Sequence, residues 1–97
     1  MAFIDNYDFE NLIDEGKRLV IEELGSQLED WPHPVCLCND CIVDMAGMAL
    51  NHLPPRYHCS LLGGLYAADL EDMIYRKKLK KAVAHAIKRV SENPAHD

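Results

Sequence analysis

Residues 34–59 read PVCLCNDCIVDMAGMALNHLPPRYHC and contain all four cysteines of the chain. Cys36, Cys38 and Cys41 stand close together as C-x-C-x2-C, and Cys59 follows a methionine-rich apolar segment that ends in two prolines. Proline has no backbone donor and disfavours the helical region for the residue before it, so a helix that follows the first three cysteines ends at the prolines. The stretch predicts a cysteine-rich loop, a helix and a rigid turn, in that order.

The composition of the chain limits the class of protein. The 97 residues are 48% hydrophobic and 27% charged, which is typical of a globular protein, and we treat residues 1–97 as a single domain. We find no signal peptide at the N-terminus and no apolar run of about 18 residues, so we predict a cytoplasmic protein that does not associate with membranes. In that reducing compartment, clustered cysteines are more often metal ligands or reactive thiols than disulfides.

Charge is divided between the two halves of the chain. Residues 1–50 contain many acids and only Lys17 and Arg18 as basic residues, whereas the basic run RKKLKK occupies residues 76–81. Such a run can attract phosphates, or it can be a solvated helix face that the acidic half balances. Because the net charge is −6, we do not expect direct DNA binding.

Apolar residues recur at three- and four-residue steps in three segments. The predicted helices cover about residues 6–28, 39–53 and 67–91, with Asn39 as the N-cap of the second. Any strand is short and lies near residues 56–62. The predicted fold is therefore mainly α: a small domain of three to four helices with a cysteine-rich metal-binding loop and a Pro-Pro turn.

The third predicted helix is long for so small a domain. A helix of about 25 residues is about 37 Å long at 1.5 Å per residue, more than the rest of the chain can cover. We therefore expect part of its apolar face to contact a second subunit, which predicts a homodimer formed through the C-terminal helix.

The cysteines are candidate ligands of a structural metal ion. Zinc accepts four thiolates tetrahedrally at about 2.3 Å, and iron is the alternative metal. The predicted metal ligands are Cys36, Cys38, Cys41 and Cys59. Because a helix of about 20 Å separates the last two, the alternatives for the fourth ligand are His33, His52 and His58. Two other interpretations stay open: small buried apolar cysteines and a redox switch.

The segment CLCNDCIVDMAGMALNHLPPRYHCS, followed by AVAHAIKRVSENP, resembles the late competence development protein ComFB family. The likeness extends over residues 7–94, and its specific part is D-x-A-x-x-A-L-N-x-L-P-P-x-Y at residues 44–57. The chain departs from the pattern at His58 and Cys59, and the additional cysteine favours metal binding. The resemblance implies a small, mostly helical bacterial homodimer without catalytic activity, in a family where some members bind zinc and some are thought to bind cyclic dinucleotides.

Five residues around the proline turn are candidate ligand-binding residues: Asp44, Asn51, Pro55, Arg56 and Tyr57. Arginine pairs with guanine or phosphate, and tyrosine stacks on a base. The structural alternatives are that Asn51 caps a helix, Tyr57 fills the core, Asp44 accepts backbone donors and Arg56 is solvated. Both interpretations remain open at this point.

We do not expect an enzyme, because the chain has no recognisable nucleophile pattern or glycine-rich phosphate loop, and a four-sulfur metal site has no open position for water. We predict instead a signalling protein that senses cyclic di-GMP or cyclic di-AMP and acts on a partner protein. The alternative is a zinc-stapled interaction module linked to competence or surface behaviour, with no small ligand.

Overall fold

The structure is a computed structural model that describes residues 2–58 and 69–94. Its α-helices are α1 (Glu15–Glu29), α2 (Asn39–Asn51) and α3 (Asp69–Glu92). Two 3₁₀ turns, Phe3–Asn6 and Phe9–Asn11, and the two-residue strands β1 (Ile13–Asp14) and β2 (Tyr57–His58) complete the described elements. The chain is mainly helical, as predicted. Cys59 and the beginning predicted for the third helix lie outside the described residues.

The first helix begins later than the spacing predicted. Residues 6–14 are not part of α1; the side chain of Asp14 caps the helix by accepting the backbone N–H of Gly16 at 3.0 Å. The residues just before α1 form β1, where Ile13 pairs with His58 and Asp14 with Tyr57 in antiparallel register. For Ile13 and Asp14 the prediction was wrong because the extended chain after the prolines offers them a strand partner, which sequence spacing does not reveal. Phe9–Asn11 forms a 3₁₀ turn instead of part of α1.

The core lies where α3 packs against both α1 and α2. Its fully buried side chains include Val20 from α1, Met45 from α2, and Val83 and Ile87 from α3. The buried positions of α3 recur once or twice per helical turn, which places them on one face: Tyr75, Leu79, Ala82, Val83, Ala86, Ile87 and Val90. From Leu79 onward, the apolar stripe predicted for the third helix therefore faces the core, whereas Met73 and Ile74 are exposed.

The proline turn brings the chain back to the beginning of α1. Helix α2 ends at Asn51, two residues earlier than predicted, and His52 is its C-cap. After Pro54 and Pro55, the carbonyl of Arg56 accepts the backbone N–H of Glu15 at 3.0 Å, and β2 then pairs with β1. This return places Arg56 beside α3. No helix in the described part of the chain is apolar over enough of its length to span a membrane.

Candidate metal centre and ligand groove

Three of the predicted metal ligands lie together. The sulfur atoms of Cys36, Cys38 and Cys41 are all within 4.8 Å of one another, and none of the three forms a disulfide. Cys36 is exposed on the loop before α2, whereas Cys41 lies in the first turn of α2 and is 1% exposed. The cluster therefore extends from the protein surface, at Cys36, into the core, at Cys41.

Local helix geometry positions this cluster. Cys38, rather than the predicted Asn39, is the N-cap of α2, and its sulfur accepts the backbone N–H of Cys41 at 3.4 Å. The pKa of the Cys36 thiol is lowered, first by a hydrogen bond from the backbone of Cys38 and then by hydrogen bonds with the side chains of Cys38 and Cys41. A lowered pKa favours the thiolate, which is the form that binds metal.

The cluster fits a tetrahedral thiolate site. Four sulfurs at about 2.3 Å from a zinc ion are about 3.8 Å from one another, so sulfurs already within 4.8 Å need only small side-chain rotations to close on one ion. Thiolates are soft ligands that suit zinc or iron. Three cysteines of this chain can therefore hold a metal ion.

Among the described residues, no fourth ligand lies with the three cysteines. Cys59 lies outside them, and His58 belongs to β2. His52 follows the opposite end of α2 from Cys41, about 16 Å away at the helical rise per residue, and its ring contacts His85 instead. His33 is exposed and is not part of the cysteine cluster. Helix geometry thus removes His52 as a ligand of this centre.

A second feature forms where the proline turn meets α3. The guanidinium carbon of Arg56 lies 4.5 Å from the centroid of the Tyr75 ring, a cation–π contact. These two residues line a groove of about 390 Å³, which we call the Arg56 groove; its other lining residues are Pro54, Pro55, Ile74 and Lys78. Its charged groups, the Arg56 guanidinium and the Lys78 ammonium, are both positive.

Tyr75 is held in place by burial. The residue is 6% exposed, and its hydroxyl has no hydrogen-bond partner among the described residues. Burial raises the pKa of Tyr75, and the charges of Asp14 and Glu15 raise it further, whereas Arg56 opposes the shift. The ring therefore stays neutral and presents its negative face to the guanidinium.

A family model described as late competence development protein ComFB matches residues 16–94. This chain belongs to the ComFB family. A solved structure, the late competence protein ComFB from Bacillus subtilis, is 27% identical, with a TM-score of 0.64 over 87% of this chain and 92% of that chain. No curated protein matches closely enough to add to this comparison.

The ComFB assignment confirms the resemblance read from the sequence, and the Bacillus subtilis structure supports the mainly helical fold. The match includes both the cysteine cluster and the Arg56 groove, whereas the two 3₁₀ turns precede it. The family description associates this chain with competence and specifies no ligand.

The five predicted ligand-binding residues of this ComFB-family chain lie in different places. Pro55 and Arg56 line the Arg56 groove. Asp44 and Asn51 line a separate depression on the exposed side of α2. Tyr57 lies in β2 with its side chain 60% exposed.

Two polar lining residues of the groove were not among the predicted ligand-binding residues. Tyr75 and Lys78 lie on α3, about twenty residues after the proline turn, and no sequence motif connects the two segments. The basic run that contains Lys78 was the available signal. Only the packing of α3 beside the turn shows which of its lysines reaches the groove.

Proposed function

We propose that this ComFB-family protein is a cytoplasmic, non-enzymatic regulator that binds cyclic di-GMP or cyclic di-AMP in the Arg56 groove and acts on a partner protein. The observation that carries this proposal is the contact between Arg56 and Tyr75 in a groove that also contains Lys78. A guanidinium pairs with phosphate or guanine, flat groups stack on bases, and an ammonium attracts phosphate. This set of groups therefore suits a phosphate-bearing nucleotide.

We also propose that the metal is zinc, that Cys59 supplies the fourth ligand, and that the protein is a homodimer. Three thiolates around the N-terminus of α2, completed by a fourth from Cys59, would form the Cys₄ set of a closed structural zinc site. An ion held by four sulfurs has no open position for water, which supports a binding role over catalysis. In this proposal the metal stabilises the loop that begins α2.

Calorimetry with each dinucleotide tests the binding proposal. We expect heat of binding with at least one of them, and an affinity at least about tenfold lower for Arg56→Ala, because a hydrogen bond to a charged phosphate is lost. Arg89→Ala is the matched control, since it removes an exposed arginine of α3 that does not line the Arg56 groove. Absence of heat for folded wild-type protein with both dinucleotides would reject the proposal.

The alternative, an interaction module linked to competence or surface behaviour, is favoured by a different observation. Phe3, Tyr7 and Phe9 form an aromatic cluster with ring centroids 4.8 to 6.2 Å apart, and all three are exposed. Exposed aromatic clusters are typical of protein contact surfaces. This alternative predicts bound metal without dinucleotide binding, and loss of a protein partner in Phe3→Ala.

A further inference from the structure

A pair of histidines lies between the end of α2 and the middle of α3. The ring centroids of His52 and His85 are 5.4 Å apart, with the ring planes at 85°. Both side chains line a cavity of about 520 Å³, which we call the histidine groove. Lys78 and Lys81 line the same cavity, one helical turn apart on α3.

The histidine groove adjoins the Arg56 groove, because Pro54 and Lys78 line both. None of the residues that line the two grooves is acidic, within the part of the chain that the structure describes. Lys78 and Lys81 likewise form no ion pair with a described carboxylate. A protein with a net charge of −6 thus concentrates basic side chains along one continuous surface.

The chemistry of this surface favours an anion over a metal cation. Two imidazoles can ligate a metal, but two nearby ammonium groups repel a cation, and no third described histidine, cysteine or carboxylate joins the pair. An imidazole donates an N–H whether neutral or charged, and lysine donates three. Phosphate oxygens satisfy these donors and offset the repulsion between the lysines.

We propose that His52, His85 and Lys81 form a phosphate-binding subsite, and that a cyclic dinucleotide spans it and the Arg56 groove, with Lys78 between them. The second part rests on the function proposed above. One phosphate contacts Arg56 and Lys78, and the other contacts the two histidines and Lys81. The dinucleotide class is favoured because its two phosphates match two adjoining basic grooves.

The subsite is tested first with inorganic pyrophosphate, by NMR of the histidine imidazoles in the full-length protein. We expect the signals of His52 and His85 to shift with pyrophosphate, and the signal of exposed His33 to stay in place. Lys81→Gln should abolish the shift, whereas Lys88→Gln should preserve it because Lys88 lines neither groove. Unshifted His52 and His85 signals would overturn the subsite, whether or not dinucleotides bind.

The spanning arrangement is tested by calorimetry with the dinucleotide that the wild-type protein binds. Lys81→Gln and His85→Gln should each weaken binding about tenfold, with Lys88→Gln unchanged. The side chains of Lys81, His85 and Lys88 are exposed, and circular dichroism verifies that the variants fold. Wild-type affinity in Lys81→Gln and His85→Gln, together with loss of binding in Arg56→Ala, would overturn the spanning arrangement and leave the proposed function standing. Failure of the wild-type protein to bind any dinucleotide would overturn both the spanning arrangement and the proposed function.

Discussion

At the scale of single residues, the contact between Gly16 and Tyr75 explains how α1 and α3 approach each other. A Cβ added at Gly16 would lie 2.9 Å from the hydroxyl oxygen of Tyr75. Glycine lowers helix propensity at this position, yet it makes room for the side chain that stacks under Arg56. The residue that weakens the helix locally therefore allows the groove to form.

Gly16→Ala should destabilise the protein by about 1–3 kcal/mol, because the new methyl group would overlap the hydroxyl of buried Tyr75 and crowd the N-cap carboxylate of Asp14, 3.1 Å away. Gly25→Ala is the matched control: no atom lies within 4 Å of its added Cβ, so it should stabilise α1 by about 0.5–1 kcal/mol. Urea denaturation measures both. A stabilised Gly16→Ala protein would contradict the close approach.

Tyr75→Phe should raise the free energy of unfolding by about 1 kcal/mol, because it removes a buried hydroxyl that has no described partner and keeps the ring under Arg56. Since burial raises the pKa of Tyr75, the folded state holds this proton more tightly than the unfolded state. Wild-type stability should therefore fall as the pH rises above about 10, and less steeply in Tyr75→Phe. Equal alkaline slopes in denaturation measurements would contradict this environment.

At the scale of elements, α2 connects the two candidate sites. The cysteine cluster lies at its N-terminus. At its other end, the C-cap His52 precedes the proline turn and lines the histidine groove. Metal ligation at one end would fix the loop that begins the helix, since the N-cap Cys38 is itself a candidate ligand.

The purified protein should contain about one metal ion per chain, and chelation should lower its melting temperature, because an ion that binds only the folded state stabilises it. Cys36→Ser and Cys38→Ser should lose the metal, whereas His33→Ala should retain it. Elemental analysis identifies zinc or iron, and comparison of Cys59→Ser with His58→Ala identifies the fourth ligand. Metal-free protein with freely titratable thiols would contradict the centre.

At the scale of the whole molecule, α3 carries both the core and an uncovered surface. Its 24 residues extend about 36 Å, and Met73 near its N-terminal end is 59% exposed. We therefore propose that Met73 lies in the dimer contact. The basic run at residues 76–81 would attract the acidic N-terminal half of a second copy.

Analytical ultracentrifugation should give twice the 11.0 kDa mass of one chain. Met73→Glu should shift the protein toward monomer, because it places a charge in the proposed apolar contact. Val43→Glu is the matched control, since Val43 is 60% exposed on α2, and it should leave the dimer intact. A wild-type monomer at micromolar concentration would contradict this arrangement.

Sequence spacing predicted the features that depend on neighbouring residues. The cysteine cluster, the helix after it and the stop before Pro54 follow from short-range rules of ligand spacing, helix periodicity and proline geometry. The prediction was wrong for residues 6–14, where the 3₁₀ turn Phe9–Asn11 and the pairing of Ile13 and Asp14 with β2 replace the helix that periodicity indicated.

By itself, the sequence determined the family, the helical class, and the three thiols that lie close enough to share an ion. The tertiary structure decided which distant residues share a surface: Arg56 with Tyr75, and His52 with His85. The physical reason is that these contacts depend on how α3 packs against α1 and α2. That packing is a property of the whole core, and local spacing in the chain does not encode it.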